Sequence, residues 1–214
     1  MRDAVIQRIL DEKIIAIARG YTQEECLGLA KALYAGGVTL LELTFDQKSE
    51  AARQETARIL QMLNKEMGDR MCFGVGTVTT VEMVQLAKEA GARFVISPDM
   101  DPAVIKATVE ADMVSIPGVL TPTEMKQAHV CGADFVKVFP ASSMGPAYIK
   151  AVAAPLNQIR MLAVGGVDGS NVGAYLAAGA VGAGVAGCLF QKEWIKAGQW
   201  ARITQVCRDF LACL

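Results

Sequence analysis

The chain has 214 residues, with 21 lysines and arginines against 22 aspartates and glutamates, and 52% of its residues are hydrophobic. This length suits one ordinary domain or one small barrel, and a nearly neutral chain without a basic stripe argues against a nucleic-acid partner. The longest apolar tract, residues 176–190, is interrupted by glycines and too short to cross a bilayer, and the N-terminus does not resemble a secretory signal, so we expect no membrane partner.

Short apolar runs recur along the chain every ~20 to 25 residues, and a helical pattern follows each run. A leading helix is predicted at residues 2–11. The predicted strands are 14–17, 39–44, 71–75, 94–96, 113–116, 135–138, 161–164 and 181–185. Parallel strands joined by right-handed crossovers in this number close most naturally into a (β/α)8 TIM barrel, which we predict as a single α/β domain over residues 1–214. A doubly wound open sheet is the alternative.

The helical segments between these runs carry recognisable ends. Thr22, Thr80 and Thr121 each precede a helical segment that has a glutamate in its first turn. A threonine there can cap backbone N–H groups while the carboxylate complements the helix dipole. Several segments then end at a glycine, which permits the left-handed turn that closes a helix before the next strand.

Lys137 is the most informative residue because it lies in the segment 134–140, which otherwise has the apolar character of a buried parallel strand. Burial disfavours the ammonium form, so this lysine should have a lowered pKa and a usable neutral amine. A neutral amine is the nucleophile that Schiff-base chemistry requires. The alternative is that the stem packs in the strand while the amine reaches solvent at the strand end.

The other candidate residues lie at the ends of the predicted strands, where barrels of this kind place their active sites. The full set of candidates is Arg19, Glu42, Thr77, Pro98, Lys137, Phe139, Gly165, Gly166 and Gly187. An amine, a carboxylate and an arginine at one apolar mouth suit imine chemistry on a keto acid. Glu42, beside hydrophobic residues, should have a raised pKa that suits proton transfer near neutral pH, although a structural carboxylate paired with Lys137 or a backbone amide is the alternative.

Seven segments carry a family resemblance that covers almost the whole chain. Segment 135–141, which contains Lys137, is a specific signal in combination with segments 74–77 and 96–98. The other segments are 35–38, 41–44, 116–118 and 165–167. Together they resemble the bifunctional aldolases of 2-keto-3-deoxy-6-phosphogluconate (KDPG) and 4-hydroxy-2-oxoglutarate (KHG).

The resemblance implies a homotrimeric class I aldolase that reversibly cleaves a 2-keto-4-hydroxy acid to pyruvate and an aldehyde, glyceraldehyde 3-phosphate or glyoxylate. Lys137 would then be the Schiff-base lysine, and Glu42 would be the acid/base, helped by a bound water. Thr77, Pro98 and Phe139 would line the pyruvate pocket.

Three positions depart from the family pattern. Asp46 stands where many members have an arginine that grips the substrate carboxylate, so Arg19 could supply this cation instead. Val164 and Gly187 stand where relatives often place threonine and serine, beside glycine-rich turns whose backbone N–H groups could bind phosphate or could simply permit tight turns. The loss of both hydroxyls predicts only a modest preference for a phosphorylated substrate.

Two other classes of function stay open at this point. A phosphate-binding isomerase or epimerase would use Glu42 and Asp46 without any imine. A catalytically silent relative would keep the fold for binding or assembly.

The cysteines and the histidine give no sign of a metal centre. Six cysteines are scattered without a Cys-x-x-Cys pair, which argues against a zinc site and a disulfide framework and favours a reducing cytoplasm. The only histidine, His129, is predicted to be a surface or packing residue. We therefore expect no metal and no cofactor, and a small keto acid as substrate.

Overall fold

The computed structural model describes residues 2–214, which form one parallel sheet surrounded by helices. The strands are β1 (Ile14–Ala18), β2 (Leu40–Thr44), β3 (Cys72–Gly76), β4 (Phe94–Ile96), β5 (Val114–Ile116), β6 (Gly118–Val119), β7 (Val136–Val138), β8 (Met161–Val164) and β9 (Gly182–Val185). The helices are α1 (Arg2–Glu12), α2 (Gln23–Ala35), α3 (Glu50–Met67), α4 (Val81–Glu89), α5 (Pro102–Glu110), α6 (Pro122–Val130), α7 (Ala141–Ala153), α8 (Val172–Ala177), α9 (Lys192–Lys196) and α10 (Trp200–Leu211). Among the described residues, no helix has the length and apolar character needed to cross a membrane.

The sheet closes into a barrel with eight strand positions, one of which is divided into two segments. The nine strand segments follow the order β5-β4-β3-β2-β1-β9-β8-β7-β6, and the pairs are parallel. The two outermost segments, β5 and β6, occupy one strand position and are separated at Pro117, which has no N–H to donate to a neighbouring strand. The first half pairs with β4 and the second with β7, so the ring is complete. The predicted (β/α)8 barrel is therefore confirmed, and the open sheet is excluded.

The barrel has an inner and an outer apolar layer. Leu41 and Leu43 of β2 belong to the outer cluster that packs under the helices, whereas Leu40 belongs to the inner cluster. Alternate residues of a strand face opposite sides, so Glu42 shares the inward face with Leu40. Helix α1 supplies Ile9 to the inner cluster, and Ile9 is fully buried. Apolar side chains thus fill the barrel interior, and the carboxyl ends of the strands are left for chemistry.

The helix starts follow the pattern predicted from the sequence. Thr22 with Glu25 and Thr121 with Glu124 form capping boxes, and the Thr80 side chain accepts the backbone N–H three residues on. Each such cap contributes about 1 kcal/mol to helix stability. All three caps lie two to four positions beyond the end of a strand, so they fix the loops at the carboxyl ends of the strands.

Candidate active site

A cavity of about 570 Å³ opens at the carboxyl ends of the strands. Every residue selected from the sequence lines it: Arg19, Glu42, Thr77, Pro98, Lys137, Phe139, Gly165, Gly166 and Gly187. These residues come from seven of the eight strand positions of the barrel, and parallel strands bring their ends together at one mouth. The structure therefore brings these residues together at one cavity, while their chemical roles stay predictions.

Lys137 lies in the middle of β7, paired in register with Gly118 on one side and Leu162 on the other. Its side chain is half-buried, and Nζ lies 4.7 Å from the centroid of the Phe139 ring. Burial lowers the pKa of Lys137 from its ordinary value, and nearby Arg19 lowers it further, whereas the charge of Glu42 acts in the opposite direction. A neutral amine is consequently more accessible here than on an exposed lysine.

Glu42 is 3% exposed in β2, with Thr44 Oγ1 donating a hydrogen bond to Oε1 at 3.2 Å. Its other oxygen, Oε2, is buried and has no hydrogen-bond partner among the described residues. Burial raises the pKa of this carboxyl, and the lowering influences of Lys137, Thr44 and Arg19 are smaller. Although Lys137 influences this pKa, no hydrogen bond or ion pair joins the two described side chains, so the geometry does not favour a structural pair.

The space for Glu42 depends on a glycine in the adjacent strand. Gly76 of β3 pairs with Thr44, and a Cβ placed on Gly76 would overlap the Glu42 carboxylate. A side chain at this position would displace the carboxylate from the cavity. Gly76, which was not singled out from the sequence, therefore positions Glu42.

Arg19 and Thr77 lie side by side at the ends of β1 and β3. The guanidinium Nη2 of Arg19 donates a long hydrogen bond of 3.4 Å to Thr77 Oγ1. Thr77 has φ +59°, a left-handed conformation that is uncommon for a β-branched residue and costs ~1 to 3 kcal/mol. Gln47 Nε2 donates to the Thr77 carbonyl at 2.7 Å and so helps to hold this backbone in place. Arg19 itself is exposed, and its charge reaches both Glu42 and Lys137.

Asp46 belongs to a neighbouring cavity of about 520 Å³ between α2 and α3, which shares Arg19 with the first. Its Oδ1 accepts the backbone N–H of Lys48 at 2.7 Å, which closes a local turn. Asp46 does not line the cavity that contains Glu42 and Lys137. The two carboxylates therefore do not face one another across a single site.

The ends of β8 and β9, which lie between β1 and β7 in the barrel, form a further side of the cavity, and we call it the distal end. Gly165 and Gly166 have φ values of +92° and +74°, and a Cβ on Gly166 would overlap Ser142. The segments that follow β8 and β9 place Asp168 and Cys188, respectively, in the lining of the cavity. Neither of these two residues was predicted.

A family model described as "Aldolase: KDPG and KHG aldolase" matches residues 5–206. The chain belongs to this aldolase family. A probable 2-dehydro-3-deoxy-6-phosphogalactonate aldolase of Rhizobium meliloti (strain 1021) is 36% identical to this aldolase over 184 residues, covering 85% of this chain and 84% of the relative. The KHG/KDPG aldolase of Escherichia coli (strain K12) is 33% identical over 187 residues, covering 87% and 84%.

Solved structures agree with this assignment. The KDPG aldolase of Legionella pneumophila, with pyruvate captured at low pH as a covalent carbinolamine intermediate, superposes with a TM-score of 0.84 at 28% identity, covering 97% of each chain. The expected family and the expected enzyme class, a carbon-carbon lyase, are therefore confirmed for this aldolase.

Two polar residues of the lining that were missed in this aldolase, Asp168 and Cys188, follow a common rule. Asp168 comes two residues after Gly166, and Cys188 comes directly after Gly187. Both positions extend the strand ends that were selected, so the available signal was a polar residue one or two places beyond a glycine turn.

Proposed function

We propose that this chain is a class I aldolase that reversibly cleaves a 2-keto-4-hydroxy acid to pyruvate and an aldehyde through a Schiff base on Lys137. The observation that carries the proposal is the pairing, in one cavity, of a half-buried amine with a lowered pKa and a buried carboxyl with a raised pKa. The covalent carbinolamine of pyruvate in the Legionella relative supports it, because a carbinolamine is the adduct that precedes an imine.

The reaction begins with attack of the neutral Lys137 amine on the keto carbon of the substrate. The carbinolamine loses water and becomes an imine, which withdraws electrons from the neighbouring bonds. A base then removes the proton of the C4 hydroxyl, the C3–C4 bond breaks, and the aldehyde leaves. Protonation of the resulting enamine at C3 and hydrolysis of the imine release pyruvate and regenerate the amine.

Glu42 is the group that transfers these protons in the proposed reaction. Its unpartnered Oε2 and raised pKa let it both take and return a proton near neutral pH. Pro98 and Phe139 offer an apolar wall to the carbon chain of pyruvate, and the hydroxyl of Thr77 can donate to its carboxylate.

The candidate substrates are KDPG, KHG and 2-dehydro-3-deoxy-6-phosphogalactonate, the substrates named for the relatives. All three present the same keto-acid end to Lys137. They differ from C4 onward, in configuration or in the group that the distal end of the cavity would receive.

The isomerase alternative is not favoured, because it required Glu42 and Asp46 to act on one substrate and they line different cavities. The silent alternative is tested by a coupled assay with lactate dehydrogenase, which detects pyruvate released from each candidate substrate. We expect pyruvate from at least one of them. If neither these candidates nor the unphosphorylated 2-keto-3-deoxygluconate and its galactonate counterpart release pyruvate from a folded protein, the silent alternative replaces the proposal.

Arg19→Ala is expected to raise KM for the substrate about 10- to 100-fold, because a lost charge-assisted hydrogen bond to the carboxylate costs ~1.5 to 3 kcal/mol. Arg19 is exposed, shares the cavity with Lys137 and contacts Thr77, so it is placed to receive a carboxylate. Steady-state kinetics measure the effect. Arg58→Ala, which removes an exposed arginine on α3, is the matched control. An unaltered KM in Arg19→Ala would assign carboxylate binding to Thr77 and backbone amides.

We further propose that residues 1–214 act as one aldolase domain that forms a homotrimer in the cytoplasm. Light scattering at micromolar concentration is expected to give three times the protomer mass of 22.8 kDa. A measured mass near that of one protomer would refute the trimer.

A further inference from the structure

The distal end of the cavity carries a fixed carboxylate. Asp168 is half-buried and lines the cavity just after β8. Its Oδ1 accepts hydrogen bonds from the backbone N–H of Ser170 at 2.8 Å and from Ser170 Oγ at 2.6 Å, and its own N–H donates to Asn171 Oδ1 at 3.0 Å. These bonds hold the side chain at the start of α8. They also lower the pKa of Asp168, so it is an anion at neutral pH.

Among the described residues that line the cavity, the cations are Arg19 and Lys137. Both contribute to the pKa of Glu42, whereas neither contributes to the shift of the Asp168 pKa, which comes from its hydrogen bonds with Ser170 and Asn171. Beside Asp168 lie the apolar Val164 and the thiol of Cys188. Burial raises the pKa of Cys188 and the charge of Asp168 adds to this effect, so the thiol is neutral and close to the carboxylate.

We propose that Asp168 is a specificity-determining residue that favours sugar acids ending in a neutral hydroxyl and disfavours a phosphate or carboxylate at the distal end. The inference rests on the proposed function, because it takes the keto-acid end of the substrate to be at Lys137. A carboxylate accepts a hydrogen bond from a hydroxyl group but repels a second anion held close to it. The glycine turns still offer backbone N–H groups, and these groups can donate hydrogen bonds to the oxygen of a hydroxyl group and to the oxygens of a phosphate.

This inference changes the expectation drawn from the sequence. The missing hydroxyls at Val164 and Gly187 predicted a weak preference for phosphorylated substrate. Asp168 reverses the sign of that preference, since it adds repulsion where a phosphate would otherwise be held only by backbone groups.

The test compares kcat/KM for 2-keto-3-deoxygluconate and its 6-phosphate, and for the corresponding galactonate pair, which covers both configurations at C4. The wild-type enzyme is expected to prefer the unphosphorylated member of the cleaved pair by about tenfold or more. Asp168→Asn keeps the size of the side chain and an oxygen for Ser170 but removes the charge. It is expected to shift the ratio toward the phosphorylated substrate by about tenfold, equivalent to ~1.4 kcal/mol.

Asp101→Asn is the matched control. Like Asp168, Asp101 accepts the backbone N–H of the residue two places on, its Oδ1 bonding Ala103 at 2.7 Å, but Asp101 does not line the cavity. This variant should leave the ratio unchanged. Asp168→Ser, which also removes the charge, should shift the ratio in the same direction as Asp168→Asn, so loss of folding in one variant does not decide the result.

Two outcomes overturn the inference: a wild-type preference for the phosphorylated member, or an unchanged ratio in a folded Asp168 variant that still releases pyruvate. Failure of the proposed function gives a different result. In that case the wild-type enzyme would release pyruvate from neither member of either pair, and borohydride would trap no pyruvate on Lys137.

Discussion

Lys137→Met is expected to abolish turnover and to leave the barrel intact. Methionine fills the volume of the lysine stem between Gly118 and Leu162 but has no amine to attack a carbonyl. We expect kcat for pyruvate release to fall below detection, while circular dichroism stays that of the wild-type protein.

The same substitution should not lower stability. An unfolded lysine holds its proton up to about its ordinary pKa of 10.5, whereas burial makes folded Lys137 release the proton at lower pH. Between the folded and unfolded pKa values of this lysine, the unfolded chain binds more protons than the folded chain, so the contribution of Lys137 to stability rises with pH. Below the folded pKa this contribution is unfavourable. Methionine removes this unfavourable contribution, and thermal denaturation at neutral pH should show a Tm no lower than that of the wild type.

The control for this variant is Lys150→Met, at an exposed position on α7, which should keep full activity. A Lys137→Met enzyme with more than about a tenth of the wild-type kcat would have lost less than ~1.4 kcal/mol of transition-state stabilisation. That result would be incompatible with an imine on Lys137.

Glu42→Gln is expected to slow cleavage by roughly 10² to 10⁴, the usual loss for a missing acid/base group, and still to form the imine with pyruvate. Glutamine has the shape of glutamate, so its oxygen can keep the hydrogen bond from Thr44, while an amide that does not titrate takes the place of Oε2. Single-turnover measurements separate the two effects, because imine formation and bond cleavage are followed independently.

Glu110→Gln, at an exposed position on α5, is the matched control and should behave as the wild type. If Glu42→Gln cleaves its substrate at the wild-type rate, Glu42 has a structural role and another group moves the proton.

The sequence predicted the barrel because each buried parallel strand is a short apolar run. The bounds of all eight predicted strands lie within one residue of those observed. The segment β6 was not predicted; it continues the strand beyond Pro117 and pairs with β7. The proline marks a local interruption, but whether the strand resumes depends on hydrogen bonds to a neighbour that is distant in the sequence.

The positions of Lys137 and Glu42 at the cavity were also predictable, since both are charged residues in apolar strands and strand position alone fixes where they lie. The distal end was not. Asp168 follows the turn at Gly165 and Gly166, which have positive φ values. A Cβ on Gly165 would crowd Phe139, and a Cβ on Gly166 would overlap Ser142. Asp46 shows the converse case, because its turn with Lys48 takes it into the neighbouring cavity.

The most direct test of an imine on Lys137 is trapping with pyruvate and borohydride, followed by peptide mass spectrometry. The predicted result is one reduced pyruvate per chain, attached at Lys137, present in Glu42→Gln and absent in Lys137→Met. The absence of an adduct from the folded wild-type protein at saturating pyruvate, or its attachment to a different lysine, would contradict the proposed mechanism.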